Sequence, residues 1–276
     1  MARLLVVRQR PDEDDIVTRL PGLEDLYVEH VTGAEAALAR LASKPFDALL
    51  MSPASTLEED LAFLEQARAR RPGIRAIFLA DTATPDTVIE ALRAEVFAVF
   101  TRPFDAAHIA NLVGLAAEAD GSPEHGIRVL GATPDWITLR VSAQLASADR
   151  VVVFMDLLHR RLFEGQELDQ LLVAFREILV NAIEHGAGLD PDKDIRVDAI
   201  RTKRALTFYF RDPGPGFMPG TLAHAATGDD PLSHIRRRVE AGLRPGGYGM
   251  LLSRRLVDEV IYSHAGNEVL LVKHLS

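Results

Sequence analysis

A glutamate, an asparagine and a histidine follow one another at intervals of four residues in the segment FREILVNAIEHG, residues 175–186. Residues four apart share one face of a helix. Glu177, Asn181 and His185 therefore line one edge of the apolar helix that the sequence predicts over 167–185. Hydrogen-bonding groups beside a buried stripe mark a candidate binding or catalytic edge, and a solvated helix face is the alternative.

A second candidate element is the segment DPGPGF, residues 212–217, which follows directly on a predicted strand. The carboxylate of Asp212 can accept a hydrogen bond from an exocyclic amine. Gly214 and Gly216 allow backbone conformations and close approaches that a Cβ would forbid. The alternative is an ordinary turn rich in proline and glycine.

A third element is the glycine-rich segment RPGGYGM, residues 244–250, which leads into a helix predicted over 249–257. Backbone N–H groups at a helix N-terminus can bind phosphate oxygens. This motif is weak evidence by itself, so its meaning depends on the other two.

Taken in this order and at these separations, the three segments resemble the N, G1 and G2 boxes of the GHKL ATPase superfamily. The segment EILVNAIEHG is most similar to the anti-sigma-factor serine kinases of that superfamily. The resemblance covers about residues 137–275. It implies an α+β Bergerat fold, with helices on one face of a mixed sheet and ATP between these helices and a lid.

The resemblance also implies a role for each matching residue. Asn181 would bind Mg²⁺ through its amide oxygen, Asp212 would recognise the adenine amino group, and Glu177 would be the general base that activates a protein hydroxyl. The other positions that it assigns to the nucleotide are Gly214, Gly216, Gly247 and Gly249, with His185 and Arg244 as candidate phosphate contacts. The loop 217–247 would be the ATP lid.

The function implied is that of an ATP- and Mg²⁺-dependent protein serine kinase. Its substrate would be a serine on an antagonist protein in a bacterial partner-switching pathway, and a sigma factor is a possible further partner. Two alternatives stay open: a catalytically silent nucleotide-binding scaffold, and an orphan histidine kinase. His159, the one nearby helical histidine, lacks the acidic residue and the proline that usually follow a phosphorylated one, so we interpret it as a structural or surface residue.

The elements before residue 119 alternate between strands and helices, which predicts a doubly wound parallel sheet. The strands are expected over 3–7, 26–31, 47–51, 75–80 and 96–100, and the helices over 12–20, 33–43, 57–70, 84–94 and 104–118. This region resembles a response-regulator receiver domain. We therefore predict a receiver-like domain over 1–119, a linker over 120–136 and the ATPase domain over 137–276.

Four departures predict that this receiver-like domain cannot be phosphorylated in the usual way. Arg8 and Gln9 stand where an acidic pair should hold Mg²⁺. Ser52 replaces the phosphorylated aspartate, and Ala80 replaces the switch hydroxyl. Arg102 replaces the lysine before the characteristic proline. We interpret the domain as a pseudo-receiver used for docking or dimerisation.

Composition excludes several other classes of protein. The chain of 276 residues contains no cysteine, so disulfide frameworks and thiolate metal sites are excluded. Its net charge of −9 argues against a dedicated nucleic-acid binder. Its start, MARLLVVRQRPDEDD, does not resemble a signal peptide, and no run of about 18 apolar residues occurs. We expect a cytoplasmic protein that does not enter the membrane and that can form a homodimer.

Overall fold

The computed structural model describes residues 2–10, 19–118, 126–216 and 249–275. The chain divides into two compact units, Met1–Gly126 and Ile127–Ser276. Within the described ranges, no helix is both long enough and apolar enough to cross a membrane.

The first unit is a five-stranded parallel sheet of order β2-β1-β3-β4-β5 with helices packed against it. This confirms the predicted receiver-like fold. The predicted helix over 12–20 lies mostly outside the described residues. The elements are β1 (Arg3–Arg8), β2 (Tyr27–Thr32), α1 (Ala34–Ser43), β3 (Ala48–Met51), α2 (Leu57–Arg70), β4 (Arg75–Ala80), α3 (Pro85–Arg93), β5 (Ala98–Thr101) and α4 (Ala106–Glu118).

Local sequence signals explain where several of these elements begin and end. The strands β3, β4 and β5 are short, largely apolar runs buried on both faces, as parallel strands between helices usually are. Thr56 caps α2 and exchanges hydrogen bonds with Glu59, and Thr84 caps α3 through the same arrangement with Thr87. Each cap typically stabilises its helix by about 1 kcal/mol.

The second unit is a six-stranded sheet of order β10-β11-β9-β8-β7-β6. All five neighbouring pairs are antiparallel, so the sheet is antiparallel and not mixed. The elements are β6 (Ile127–Thr133), β7 (Trp136–Ser142), α5 (Leu145–His159), α6 (Glu167–Asn181), a π-helical turn (Ala182–Gly186), β8 (Asp194–Arg201), β9 (Ala205–Arg211), α7 (Gly249–Leu256), β10 (Glu259–Tyr262) and β11 (Glu268–His274).

Strand β6 is the main addition to the predicted elements. It occupies part of the predicted linker 120–136 and pairs with β7 at the edge of the sheet. The register shifts between Val129 and Gly131, and this irregularity removes the strict alternation by which strands are recognised in a sequence.

The core of this unit joins helix α6 to the sheet through aromatic side chains. Phe175 makes ring contacts with Phe208 and Phe210 at 4.7 and 5.0 Å between centroids. His159 lies 5.6 Å from Phe208, is 2% exposed and bonds the carbonyl of Met155, so its structural interpretation is confirmed. Burial lowers the pKa of His159 to about 4, against the bond to Met155, which raises it.

Helix α5 begins at Leu145, and its N-cap is Gln144, whose side chain makes no capping hydrogen bond. Ser147, a residue type that often caps helices, lies inside the first turn. The Ser147 hydroxyl is buried and shares a 2.8 Å hydrogen bond with the Ser142 hydroxyl at the end of β7. Ser147 therefore ties the helix to the sheet instead of capping it.

Candidate functional site

The polar edge of α6 ends in a change of helix type. The α-helix stops at Asn181, and a π-helical turn continues from Ala182 to Gly186. A π-helix turns less per residue than an α-helix, so His185 departs from the line that Glu177 and Asn181 form. Glu177 and Asn181 are half-buried and His185 is exposed.

The side chains of Glu177 and Asn181 have no internal partner in the part of the chain that the structure describes. No hydrogen bond or ion pair from another described residue reaches either side chain. The neighbouring Arg176, in contrast, donates to Asp149 at 2.9 Å. A half-buried carboxylate and amide without protein partners are suited to binding a ligand.

The loop that contains Asp212 packs directly against the end of this helix. A Cβ on Gly186 would lie 2.2 Å from Cγ of Asp212, a distance that no real side chain tolerates. A Cβ on Gly214 would lie 2.6 Å from the carbonyl oxygen of Gly186. Both positions therefore require glycine, and the glycine that closes the segment EHG brings Asp212 next to the helix that carries Asn181.

The hairpin between β10 and β11 holds the same loop from its other side. The backbone N–H of Asp212 donates to the carbonyl of Asn267 at 3.1 Å, and the Asn267 amide lies 3.5 Å from the carbonyl of Gly214. Gly216 has φ of 79°, and a Cβ there would lie 1.9 Å from the carbonyl of Ala265. Neither Gly186 nor Asn267 could be assigned to the site from the sequence, because their contacts join segments that are distant along the chain.

The Asp212 carboxylate is held in place by a backbone hydrogen bond and can still accept a hydrogen bond from a ligand. The Gly214 N–H donates to its Oδ1 at 2.8 Å. Among the described residues, no side chain donates a hydrogen bond to it. Burial raises the pKa of Asp212, whereas the bond from Gly214 lowers it. The geometry leaves an acceptor beside the end of α6, as recognition of an amine requires.

The third predicted motif is described only in part. Gly249 is the first residue of α7, and α7 packs against α6. This places a helix that starts at a glycine beside the helix with the polar edge. Arg244, Gly247 and the predicted lid 217–247 lie outside the described residues.

Magnesium at this site would depend on ligands from outside the protein. The described residues contain no group of three histidine, aspartate or glutamate side chains that could hold a metal ion. Asn181 offers one hard oxygen ligand. Mg²⁺ commonly takes few protein ligands and completes its shell with phosphate oxygens and water, so the residues present fit a magnesium–nucleotide complex.

The strand ends of the first unit bear the predicted substitutions. Ser52 follows β3, and its buried hydroxyl makes no hydrogen bond to any residue that the structure describes. Arg102 forms an exposed ion pair with Asp81 at 2.7 Å. The nearest buried carboxyl group in sequence is that of Asp60, which accepts a 2.6 Å bond from Ser55. Burial raises the pKa of Asp60 to about 7, although the Ser55 hydroxyl lowers it.

Comparison with known protein families gives one match, in the second unit. Residues 141–273 match the family model of the histidine kinase-like ATPase domain. This range includes Glu177, Asn181 and Asp212. None of the curated proteins compared with the chain matches it.

Comparison with solved structures gives matches to receiver domains. A CheY-like response regulator receiver domain protein from Methanospirillum hungatei JF-1 is 21% identical and covers 43% of this chain and 94% of its own, with a TM-score of 0.38. The signal receiver domain of an HD domain-containing protein from Pseudomonas fluorescens Pf-5 is 19% identical and covers 42% of this chain and 94% of its own, with a TM-score of 0.36. A response regulator receiver domain protein from Clostridium thermocellum is 16% identical and covers 42% of this chain and 94% of its own, with a TM-score of 0.37.

The topology and the family match give a consistent description of the two units. The first is a five-stranded parallel sheet with a receiver-like strand order. The second is an antiparallel sheet with packed helices, and its match supports ATP binding. The chain thus combines a receiver-like unit with a unit that matches the histidine kinase-like ATPase domain.

Proposed function

We propose that this protein is an ATP- and Mg²⁺-dependent serine kinase of the anti-sigma-factor type. Its substrate is a serine on an antagonist protein of a partner-switching pathway. The receiver-like unit is a regulatory part that does not accept a phosphoryl group on Ser52.

One observation carries this proposal: the close packing of Gly186 against Asp212. It joins two segments that lie 26 positions apart and that are each a candidate binding element in the sequence. The edge of Glu177 and Asn181, which no other described residue contacts by hydrogen bond or ion pair, comes immediately before this contact. The match of residues 141–273 to an ATPase domain supports nucleotide as the ligand.

Each side chain has a distinct role in the proposed reaction. Asp212 accepts a hydrogen bond from the adenine amino group, and Asn181 offers its amide oxygen to the metal. Bound Mg²⁺ supplies charge neutralisation for the phosphates. Glu177 takes the proton of the substrate serine as its Oγ bonds to the γ-phosphorus and the bond to the β–γ bridging oxygen breaks. The products are phosphoserine and ADP.

The proposal is tested by phosphoryl transfer from labelled ATP to a purified antagonist-type protein encoded near this gene. Glu177→Gln should lower the rate by about 10²-fold or more, the usual contribution of a general base. The matched control is Glu184→Gln, because Glu184 is an exposed glutamate in the adjoining π-helical turn. Equal rates for wild type and Glu177→Gln would contradict the catalytic role.

The same assay separates the alternatives. A nucleotide-binding scaffold would bind ATP and Mg²⁺ without transferring phosphate to any serine. An orphan histidine kinase would form an acid-labile phosphohistidine, but His159 is only 2% exposed and cannot meet a γ-phosphate without opening of the core.

A further inference from the structure

The face of the second sheet that points away from the buried side chains carries an arginine row. Arg128 pairs in register with Arg140, Arg140 with Arg196, and Arg196 with Arg211. The row crosses four neighbouring strands. With strands about 4.8 Å apart, it spans roughly 14 Å. Like charges directly opposite one another destabilise a sheet, so folding alone does not favour this arrangement.

Acidic neighbours offset part of this repulsion but do not cover the row. Asp194 contacts Arg128 at 2.6 Å and Arg140 at 3.9 Å. The remaining contacts are Arg196 with Asp198 at 2.8 Å and Arg211 with Glu268 at 3.6 Å. Among the residues that the structure describes, these four arginines thus meet three carboxylates, and the arginine side chains are 50–59% exposed. The pairs with Asp194 and Glu268 are partly exposed and add little net stability, so the guanidinium groups of Arg128, Arg140 and Arg211 can bind another carboxylate. The pair of Arg196 with Asp198 differs, because Asp198 is buried.

Two exposed apolar side chains lie on the same face, four residues from the arginine row along their strands. Trp136 precedes Arg140 on β7 and Ile200 follows Arg196 on β8, and the two are paired in register. They are 58% and 36% exposed. Successive residues of a strand alternate between faces, so positions four apart share a face at a separation of about 13 Å.

We propose that this sheet face is a docking surface for an acidic protein segment that carries an apolar anchor at one end. Trp136 and Ile200 contact the apolar anchor, and the arginine row binds the carboxylates of the segment. Arginine and tryptophan are the residues that most often dominate protein interfaces. The net charge of −9 does not oppose this docking strongly, because charges farther apart than about 8 Å are screened at physiological salt.

The surface is separate from the edge of Glu177 and Asn181, and the inference does not depend on the proposed kinase activity. A binding experiment without nucleotide therefore tests the docking surface independently of the proposed kinase activity. Trp136 is the one tryptophan of the chain, so its fluorescence reports directly on binding at this face.

The probe is a 12-residue peptide without tryptophan or tyrosine that has leucine and phenylalanine at one end and three glutamates at alternate positions at the other. The comparison peptide has lysines in place of the glutamates. The full-length protein is titrated with each peptide at low and at high salt. The acidic peptide should shift the Trp136 emission and bind at least about tenfold more tightly than the lysine peptide, and its affinity should fall as salt rises.

The test variant is Arg140→Gln with Arg211→Gln, because it leaves the buried Asp198 with its partner Arg196. Its affinity for the acidic peptide should fall about tenfold or more, while its thermal unfolding stays close to that of wild type. The matched control is Arg70→Gln with Arg93→Gln, two exposed arginines of the first unit, which should bind as wild type does.

Three results would overturn the proposal. They are no binding of the acidic peptide, equal affinity of the double variant and wild type, and tighter binding of a single-stranded oligonucleotide than of the acidic peptide. Loss of kinase activity in any preparation would not affect these results, because no nucleotide is present.

Discussion

Gly186 and Asp212 are packed so closely that a Cβ on the first would lie 2.2 Å from Cγ of the second. This contact joins the end of the helix that carries Asn181 to the loop that carries Asp212, the candidate acceptor for the adenine amino group. Because they pack this closely, a shift of either residue would displace the other. The position of the Asp212 loop therefore depends on the position of the end of the helix that carries Asn181.

The first prediction concerns this contact. Gly186→Ala should destabilise the protein by about 1–3 kcal/mol, because the new methyl group overpacks against Asp212, and it should weaken ATP binding. Gly114→Ala is the control: Gly114 lies in α4 with open space around its Cα, so the change should be neutral or stabilising. Urea unfolding and calorimetric titration with ATP measure both effects. Unchanged ATP affinity in Gly186→Ala would separate this contact from the nucleotide site.

The second prediction concerns the Asp212 carboxylate. Asp212→Asn should weaken ATP binding about tenfold or more, because a hydrogen bond to a charged acceptor is lost. Burial raises the pKa of Asp212, so protonation begins above the ordinary carboxyl range and removes the acceptor. ATP affinity in wild type should therefore fall as the pH is lowered through that raised pKa, and Asp212→Asn should lack this step. An identical pH profile in the two proteins would contradict the role.

The site could be predicted from sequence only where the signals are local. Glu177, Asn181 and Asp212 were identifiable because helix periodicity and the strand–glycine pattern are properties of short segments. The π-helical turn, the contact of Gly186 with Asp212 and the support from Asn267 were not, since they arise when segments distant along the chain pack together. The same reason explains why β6 was missed: pairing with β7 stabilises it, while its own alternation is interrupted between Val129 and Gly131.

The third prediction concerns the buried His159. Its pKa is about 4 in the folded protein and about 6.5 when exposed, so the unfolded chain binds more protons between these values. Stability should therefore fall as the pH drops from 7 to 5, with about 2 kcal/mol of the loss due to this residue. Urea unfolding of wild type and His159→Leu at the two pH values isolates that contribution. A pH dependence that survives in the variant would assign it to other groups.

The fourth prediction concerns the buried Asp60 and has the opposite sign. Its pKa is about 7 in the folded protein against 3.8 when exposed, so the folded protein binds more protons between these values. Stability of the first unit should fall as the pH rises from 5 to 8, by roughly 3 kcal/mol. Asp60→Asn should lose this dependence, and the exposed neighbour Glu59, changed to Gln, should keep it. Amide hydrogen exchange in α2 measures the stability of the first unit. An equal dependence of this stability on pH in wild type and in Asp60→Asn would refute the assignment to Asp60.

The most direct test of the central claim is a calorimetric titration of the full chain with ATP, with and without Mg²⁺. In the proposed arrangement, Asn181 and the Asp212 loop form one magnesium–nucleotide site. Wild type should therefore bind one ATP more tightly with Mg²⁺ than without, and Asn181→Ala should lose this magnesium dependence while remaining folded. Binding that is absent at millimolar ATP, or an undiminished magnesium dependence in Asn181→Ala, would contradict it.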